Sequence, residues 1–445
     1  MNTVDITEHD LPARRPGKAA EGTAPTRPRR EDAITLPDSV WADFATNWEK
    51  LAGVLPGVLP RPLVYPELLF DALVRAARLR RLGVPSVAFS FWINARETKD
   101  LGELLPGPED KSLAGYDARL ADQLRGAEFT LLLANPHLYC NKLWDRVRVF
   151  IRGLYRQVGV PCGGVDTGIF LGRYLRTPFG VHRGQMSVLT FPVYGEKHFR
   201  LWPRGYGDAH EDIRDSLEYP DHISNSLELR AGEQDMLYWP ADYWHIAESA
   251  GSFTAALNLG CWWDRPPLSR VLLEVSQQLA ERMDGVGNEM SLDYARAVSG
   301  EPQEFVPAQM AEALSVIRQT VSDDRIEEAL ALETLRTLSA DGFRDLPEPL
   351  PFESPRWRGE VIERIPERPV LSMRGADGTL HVAANGRLFS AGDSARLRRL
   401  LKGLELGEKV KLDDSVAKAA GVPELLRWLL GVGAIRVLSD AGADQ

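Results

Sequence analysis

Two histidines, each set in short apolar runs, are the residues whose spacing points most directly to chemistry. His182 lies in Thr177-Pro-Phe-Gly-Val-His182-Arg-Gly184-Gln185, which runs into Ser187-Val-Leu-Thr-Phe-Pro-Val-Tyr194. His245 closes Asp235-Met-Leu-Tyr-Trp-Pro-Ala-Asp-Tyr-Trp-His245, which runs into Ser252-Phe-Thr-Ala-Ala-Leu-Asn258. The apolar runs have strand length and are punctuated by Gly and Pro. Two imidazoles on neighbouring strands of a small barrel can ligate one metal ion in their neutral form. A lone histidine in such a run would read as a core residue; here two of them share one pattern.

The segments around both histidines resemble the JmjC/cupin-type Fe(II)- and 2-oxoglutarate-dependent oxygenases, the ribosomal oxygenases among them. The family pattern is His-x-Asp, an apolar strand, a Gly-x-Lys hairpin, an Asp-x-x-Tyr-x-Pro segment leading to a second His, and a strand ending in Asn. His182, Gly195-Glu-Lys197, Asp235 with Tyr238 and Pro240 before His245, and Asn258 stand at those places, and the match spans about residues 165–265. The resemblance implies an α+β chain built on a double-stranded β-helix, with Fe(II) held by His182 and His245 and 2-oxoglutarate as co-substrate. It also implies that Lys197 meets the distal carboxylate, since a buried carboxylate needs a cationic partner. By itself, a lysine at such a turn would be a surface residue. Asn258, Thr177, Tyr194 and Tyr174 are further candidates to bond the co-substrate. The reaction implied is oxidation of a C–H bond by O2, most often hydroxylation on a peptide or protein side chain.

One position departs from the pattern. Gly184 stands where the family carries its metal-binding Asp. Three outcomes stay open. Water or the Gln185 amide fills the place; a halide fills it, as in the family's halogenases; or the metal is lost and the chain is a non-catalytic peptide-binding scaffold. Asp166 and Asp242 are possible substitute carboxylates without a place in the pattern. Trp239, Tyr243, Trp244, Trp262 and Trp263 crowd the region. They read as barrel wall, with Trp262 or Trp263 facing a substrate groove.

The remaining sequence must position this site. At 445 residues, with 44% hydrophobic and 26% charged residues, the chain is long enough for two or three cored domains. A net charge of −10 argues against a nucleic-acid-coating protein. Three cysteines without metal or redox spacing fit a reducing cytoplasm, and no apolar run reaches membrane-spanning length.

Residues 1–34 read as a disordered tail and residues 35–267 as the oxygenase domain. Within the latter, apolar periodicity predicts helices at Pro66–Leu82 and Leu143–Val158. Strands are expected at Ser86–Ile93, Phe129–Ala134 and Val165–Leu175, with a loop between the first two. Arg204–Glu228 reads as an acidic insertion with exposed His210 and His222. Residues 268–343 read as a helical region, which the resemblance makes a homodimer contact, and 344–368, with five prolines, as a linker. Residues 369–445 resemble a winged-helix module, with Arg396, Arg398, Arg399 and Lys402 on one helix. Everything after the barrel is expected to be a separate attachment.

Overall fold

The computed structural model describes residues 34–263, 267–283, 315–319, 321–349, 352 and 357–438. All of the expected tail but Ile34 therefore lies outside the described residues, as do residues 284–314 and 320 of the expected helical region.

Twelve strands build the site-bearing part: β1 (Gly53–Leu55), β2 (Phe89–Ile93), β3 (Arg96–Thr98), β4 (Phe129–Ala134), β5 (Gly164–Arg173), β6 (His182–Arg183), β7 (Ser187–Tyr194), β8 (Lys197–Trp202), β9 (Leu227–Ala231), β10 (Met236–Trp239), β11 (Trp244–Glu248) and β12 (Phe253–Trp262). They form an eight-stranded sheet, β1-β10-β7-β12-β5-β4-β2-β3, and a four-stranded sheet, β6-β11-β8-β9. From β5 to β12 the chain passes back and forth between the two sheets. Val188, Leu237 and Trp239 of the large sheet pack on Phe199, Leu201, Leu229 and Ala247 of the small one, so the sheets share one interior.

The sheets are antiparallel, and period-two alternation decides what faces that interior. On β8, Lys197, Phe199 and Leu201 are buried, while His198 and Arg200 alternate with them at intermediate exposure. The outer face of the large sheet is covered by the helix Asn141–Val158, where Phe150 meets Phe191 edge-on at 5.3 Å. The helix Asp38–Asn47 packs behind it through Trp41, 5.1 Å from Phe150. The outer face of the small sheet is sealed by Trp202, Ile213, Tyr219 and Trp244.

The structure differs from the sequence-based expectations in four places. The loop expected between β2 and β4 contains the helix Leu113–Gln123, capped by Ser112, which accepts the Gly115 N–H. Its Leu113, Tyr116 and Leu120 recur at helical spacing but are outnumbered locally by Gly, Pro and Glu. His222 is 8% exposed rather than solvated. Its ring meets the Tyr206 hydroxyl at 2.9 Å and the Asp212 carboxylate at 3.0 Å.

The expected linker 344–368 holds a strand, Val361–Arg364, paired on both sides. The region after the barrel is also clamped to it. Arg148, fully buried on the helix Asn141–Val158, donates to the Asp341 carboxylate at 2.6 Å, the Asn385 amide oxygen at 2.7 Å and the Ser339 carbonyl at 2.8 Å. Beyond that clamp lie two three-stranded antiparallel sheets and the helices Ala395–Glu405, Asp414–Ala417 and Val422–Gly431. Arg396, Arg398, Arg399 and Lys402 are exposed on the first of these helices, opposite its buried leucines.

A second tie carries a pH prediction. His137 is fully buried between the Thr167 hydroxyl of β5, at 2.7 Å, and the Asp345 carbonyl, at 2.9 Å. Burial pushes its pKa down to about 4. The unfolded state therefore binds the extra proton first, and stability held above pH 6.5 is lost as pH falls toward 4. At 1.36 kcal/mol per unit this amounts to about 3 kcal/mol. Urea unfolding at pH 7 and pH 4.5 should show that loss, and His137→Gln should flatten it. An equal slope in the variant would assign the acid sensitivity elsewhere.

Candidate active site

His182 and His245 are brought together by the ladder between β6 and β11, in which they are direct partners. Their ring centroids are 4.2 Å apart. Each ring is fixed by its own chain: His182 Nδ1 meets the Gly180 carbonyl at 3.0 Å and His245 Nδ1 the Tyr243 carbonyl at 3.2 Å. A carbonyl only accepts, so each Nδ1 carries the hydrogen and each Nε2 keeps its lone pair. Burial holds both rings below the ordinary imidazole range, and for His245 the neighbouring His182 adds to the effect. Two neutral imidazoles with second-nitrogen hydrogen bonds fit a divalent transition metal.

The pair lines a pocket with Phe170, Tyr174, Thr177, Phe179, Lys197, Phe199, Trp239, Ala247 and Asn258. Lys197 is 1% exposed. Its Nζ donates to the Tyr174 hydroxyl at 2.8 Å, and among the described residues no carboxylate lies within ion-pair distance of it. It enters the pocket because Gly195 turns the chain from the large sheet into the small one rather than closing a hairpin between paired strands. Gly195 has φ +68°, and a Cβ there would stand 2.9 Å from the Phe253 carbonyl oxygen, so the turn requires glycine. Asn258 accepts from the Thr190 hydroxyl at 2.9 Å through Oδ1, which leaves its amide NH2 to donate. The Thr177 hydroxyl is bonded to the Ala247 backbone.

Of the residues singled out in the sequence, His182, His245, Lys197, Asn258, Thr177 and Tyr174 therefore share one pocket. Tyr194 does not: it is 36% exposed and packs on Phe253, because it is the last residue of β7 and points away from the interior. Gln185 is exposed and outside the pocket lining. Asp242 pairs with Arg204 at the surface, and Asp166 accepts from the Trp262 indole N–H at 2.7 Å. Neither carboxylate reaches the histidines' pocket, and neither Trp262 nor Trp263 lines it.

Asp235 and Tyr238 turn out to hold the scaffold. Asp235 accepts the Gly57 and Gly232 N–H groups at 2.7 Å, and Tyr238 stacks on Trp48 at 4.8 Å. The sequence did not single out Phe170, Phe179 or Phe199 for the pocket. Period-two alternation from Lys197 would have found Phe199.

No protein-family model matches the chain, and no curated protein matches it. Among solved structures it is similar to the ribosomal oxygenase YcfD of Escherichia coli, at 16% identity and a TM-score of 0.48, covering 92% of this chain and 99% of that one. The same protein in complex with cobalt and 2-oxoglutarate gives 16% identity and a TM-score of 0.47, covering 90% and 98%. The DMSP lyase DddQ of Ruegeria pomeroyi DSS-3 matches at 15% identity and a TM-score of 0.15, over 22% of this chain and 39% of that one. Likenesses this distant carry no functional weight; the site's own residues do. No helix among the described residues is long and apolar enough to cross a membrane.

Proposed function

We propose that this chain is an Fe(II)- and 2-oxoglutarate-dependent oxygenase with a double-stranded β-helix of the JmjC type. It oxidises a C–H bond, with hydroxylation of a peptide or protein side chain as the reading that follows from the resemblance. The observation that carries the proposal is Lys197. A buried ammonium with one hydroxyl partner costs several kcal/mol unless an anion joins it. The same pocket offers two neutral imidazole lone pairs. A ligand with a carboxylate at one end and a chelating keto-acid at the other satisfies both, and 2-oxoglutarate is such a ligand.

In this reading His182 and His245 hold iron, which when bound supplies the activation of O2. Lys197 and Tyr174 bind the distal carboxylate, and Asn258 donates to the keto-acid end. Phe170, Phe179, Phe199 and Trp239 exclude water from the pocket. Thr177 braces β11 beside His245 through its bonds to Ala247.

Leu272 and Leu273, 54% and 60% exposed on the helix Pro267–Met283, support a homodimer contact in the helical region. Three free thiols, Cys140, Cys162 and Cys261, support a cytoplasmic setting. The helices and strands after residue 369 are read as winged-helix-like.

Anaerobic addition of Fe(II) and then 2-oxoglutarate should produce a visible metal-to-ligand charge-transfer band, and aerobic turnover should release succinate. A folded protein that gives neither would overturn the proposal and leave the non-catalytic scaffold.

A further inference from the structure

A second set of metal-ligating side chains lies in the region after the barrel, where a helix packs on a hairpin. We propose that Glu328, Asp377 and His381 form a site for one divalent cation of the zinc class. The ion would bridge the helix Asp323–Ser339 and that hairpin. The proposal does not rest on the reading of His182 and His245.

Each ligand is placed by a different piece of backbone. Glu328 projects from the helix Asp323–Ser339. The strands Val370–Arg374 and Thr379–Ala384 pair antiparallel, and Asp377 lies in the turn between them. Its Oδ1 accepts the Thr379 N–H at 2.8 Å, which holds the carboxylate in place. His381 lies opposite Ser390 of the next strand, Arg387–Gly392, and its Nδ1 meets the Ser390 hydroxyl at 2.8 Å. One ring nitrogen is thus oriented from behind, as in metal-bound histidines, and Nε2 faces the two carboxylates. Among the described residues this is the only group of three such side chains whose ligand atoms all lie within 4.8 Å of one another.

Nε2 of His381 is buried with no hydrogen-bond partner among the described residues. Glu328 Oε1 stands 3.5 Å from it. That is long for an N–H···O bond, which spans about 2.7–3.2 Å. It suits two ligands of one tetrahedral ion, which stand about 3.4 Å apart when each is about 2.1 Å from the metal.

Gly375 leaves the room. A Cβ there would lie 2.5 Å from Glu328 Oε1, 2.9 Å from His381 Nε2 and 3.1 Å from Asp377 Oδ1. All three donor atoms therefore converge over the bare face of one glycine. An imidazolium–carboxylate pair would account for His381 and Glu328 alone; it gives no reason for a second carboxylate at the same spot. Two carboxylates so close favour a shared cation, and with a neutral imidazole they balance a divalent charge. One nitrogen with two oxygens matches Zn(II), whereas Ca(II) and Mg(II) take oxygen sets. Water completes the coordination.

The test uses the full-length chain, as wild type and as the double variant His182→Ala/His245→Ala, which lacks the barrel pair. Zn(II) is titrated in competition with a chromophoric chelator. The double variant is expected to bind one equivalent. Adding His381→Gln should weaken that binding beyond about 100-fold, since loss of a ligand exceeds loss of a ligand's support. Gly375→Ala keeps every donor but sets a methyl among them, and the flexible end of Glu328 gives way. It should cost about tenfold or more, the effect of misorienting a ligand; this variant carries the test if His381→Gln does not fold. If the double variant does not fold, His381→Gln in the wild type should lower bound zinc by one equivalent. A folded double variant that binds no Zn(II), or binding undiminished by folded His381→Gln, overturns the site. Zinc held by the wild type at this site alone overturns the barrel metal reading and supports the present one.

Discussion

His182→Ala and His245→Ala are each expected to abolish Fe(II) binding while leaving the protein folded. In the proposed site two imidazoles would meet the metal, and among the described residues no third side chain joins them, since Gly184 cannot ligate and Gln185, Asp166 and Asp242 face elsewhere. Losing a hydrogen-bond partner of a metal ligand typically costs 10–100-fold in affinity. Losing one of two ligands should cost more, beyond about 100-fold.

The fold should tolerate the change for a separate reason. Each ring is held by one bond to a backbone carbonyl two residues away, and the barrel interior is filled by Phe199, Leu201, Leu237 and Trp239. The small cavity left should cost on the order of 1–3 kcal/mol. Fe(II) titration by isothermal calorimetry, beside circular dichroism at matched concentration, separates the two effects. Either variant retaining wild-type affinity would remove its histidine from the site.

What could be read from the sequence follows the physics of each element. β5, β7 and β12 announce themselves as long apolar runs because both faces of the large sheet are covered, by helices outside and by the small sheet inside. His182 and His245 were legible as a pair because each stands beside such a run. The passage between two sheets follows from the resemblance and not from the residues themselves, since an alternating chain and a simple meander have the same local pattern. That is why Gly195 reads as a hairpin glycine although it carries the chain across the barrel.

Tyr194 failed for a related reason. Its distance from Lys197 along the chain is short, but the corner between them turns one side chain outward and the other in. The clamp of Arg148 on Asp341 and Asn385 left no sequence signal either. An arginine within an amphipathic helix looks solvated until the segment that buries it, almost two hundred residues on, is in place.

Replacing Lys197 should move two measurements in opposite directions. Lys197→Met keeps an unbranched chain of similar length and removes the charge. Among the described residues of the ligand-free protein the ammonium meets the Tyr174 hydroxyl at 2.8 Å and no carboxylate. An isolated buried charge is costly, and an apolar replacement of similar volume is often neutral or stabilising. The ligand-free variant should therefore melt at the wild-type temperature or above it. Binding of 2-oxoglutarate should suffer, because its distal carboxylate would be buried with no cation opposite. Breaking such a pair costs about 3–5 kcal/mol, or between two and four powers of ten in affinity. Fe(II) affinity should be unchanged, since Lys197 is not a ligand. Titrating 2-oxoglutarate against the charge-transfer band at saturating Fe(II) reads the loss, and a thermal melt without co-substrate reads the stability. A variant that melts much lower with its 2-oxoglutarate dependence intact would make Lys197 a structural residue, and the anion it serves would have to be sought elsewhere.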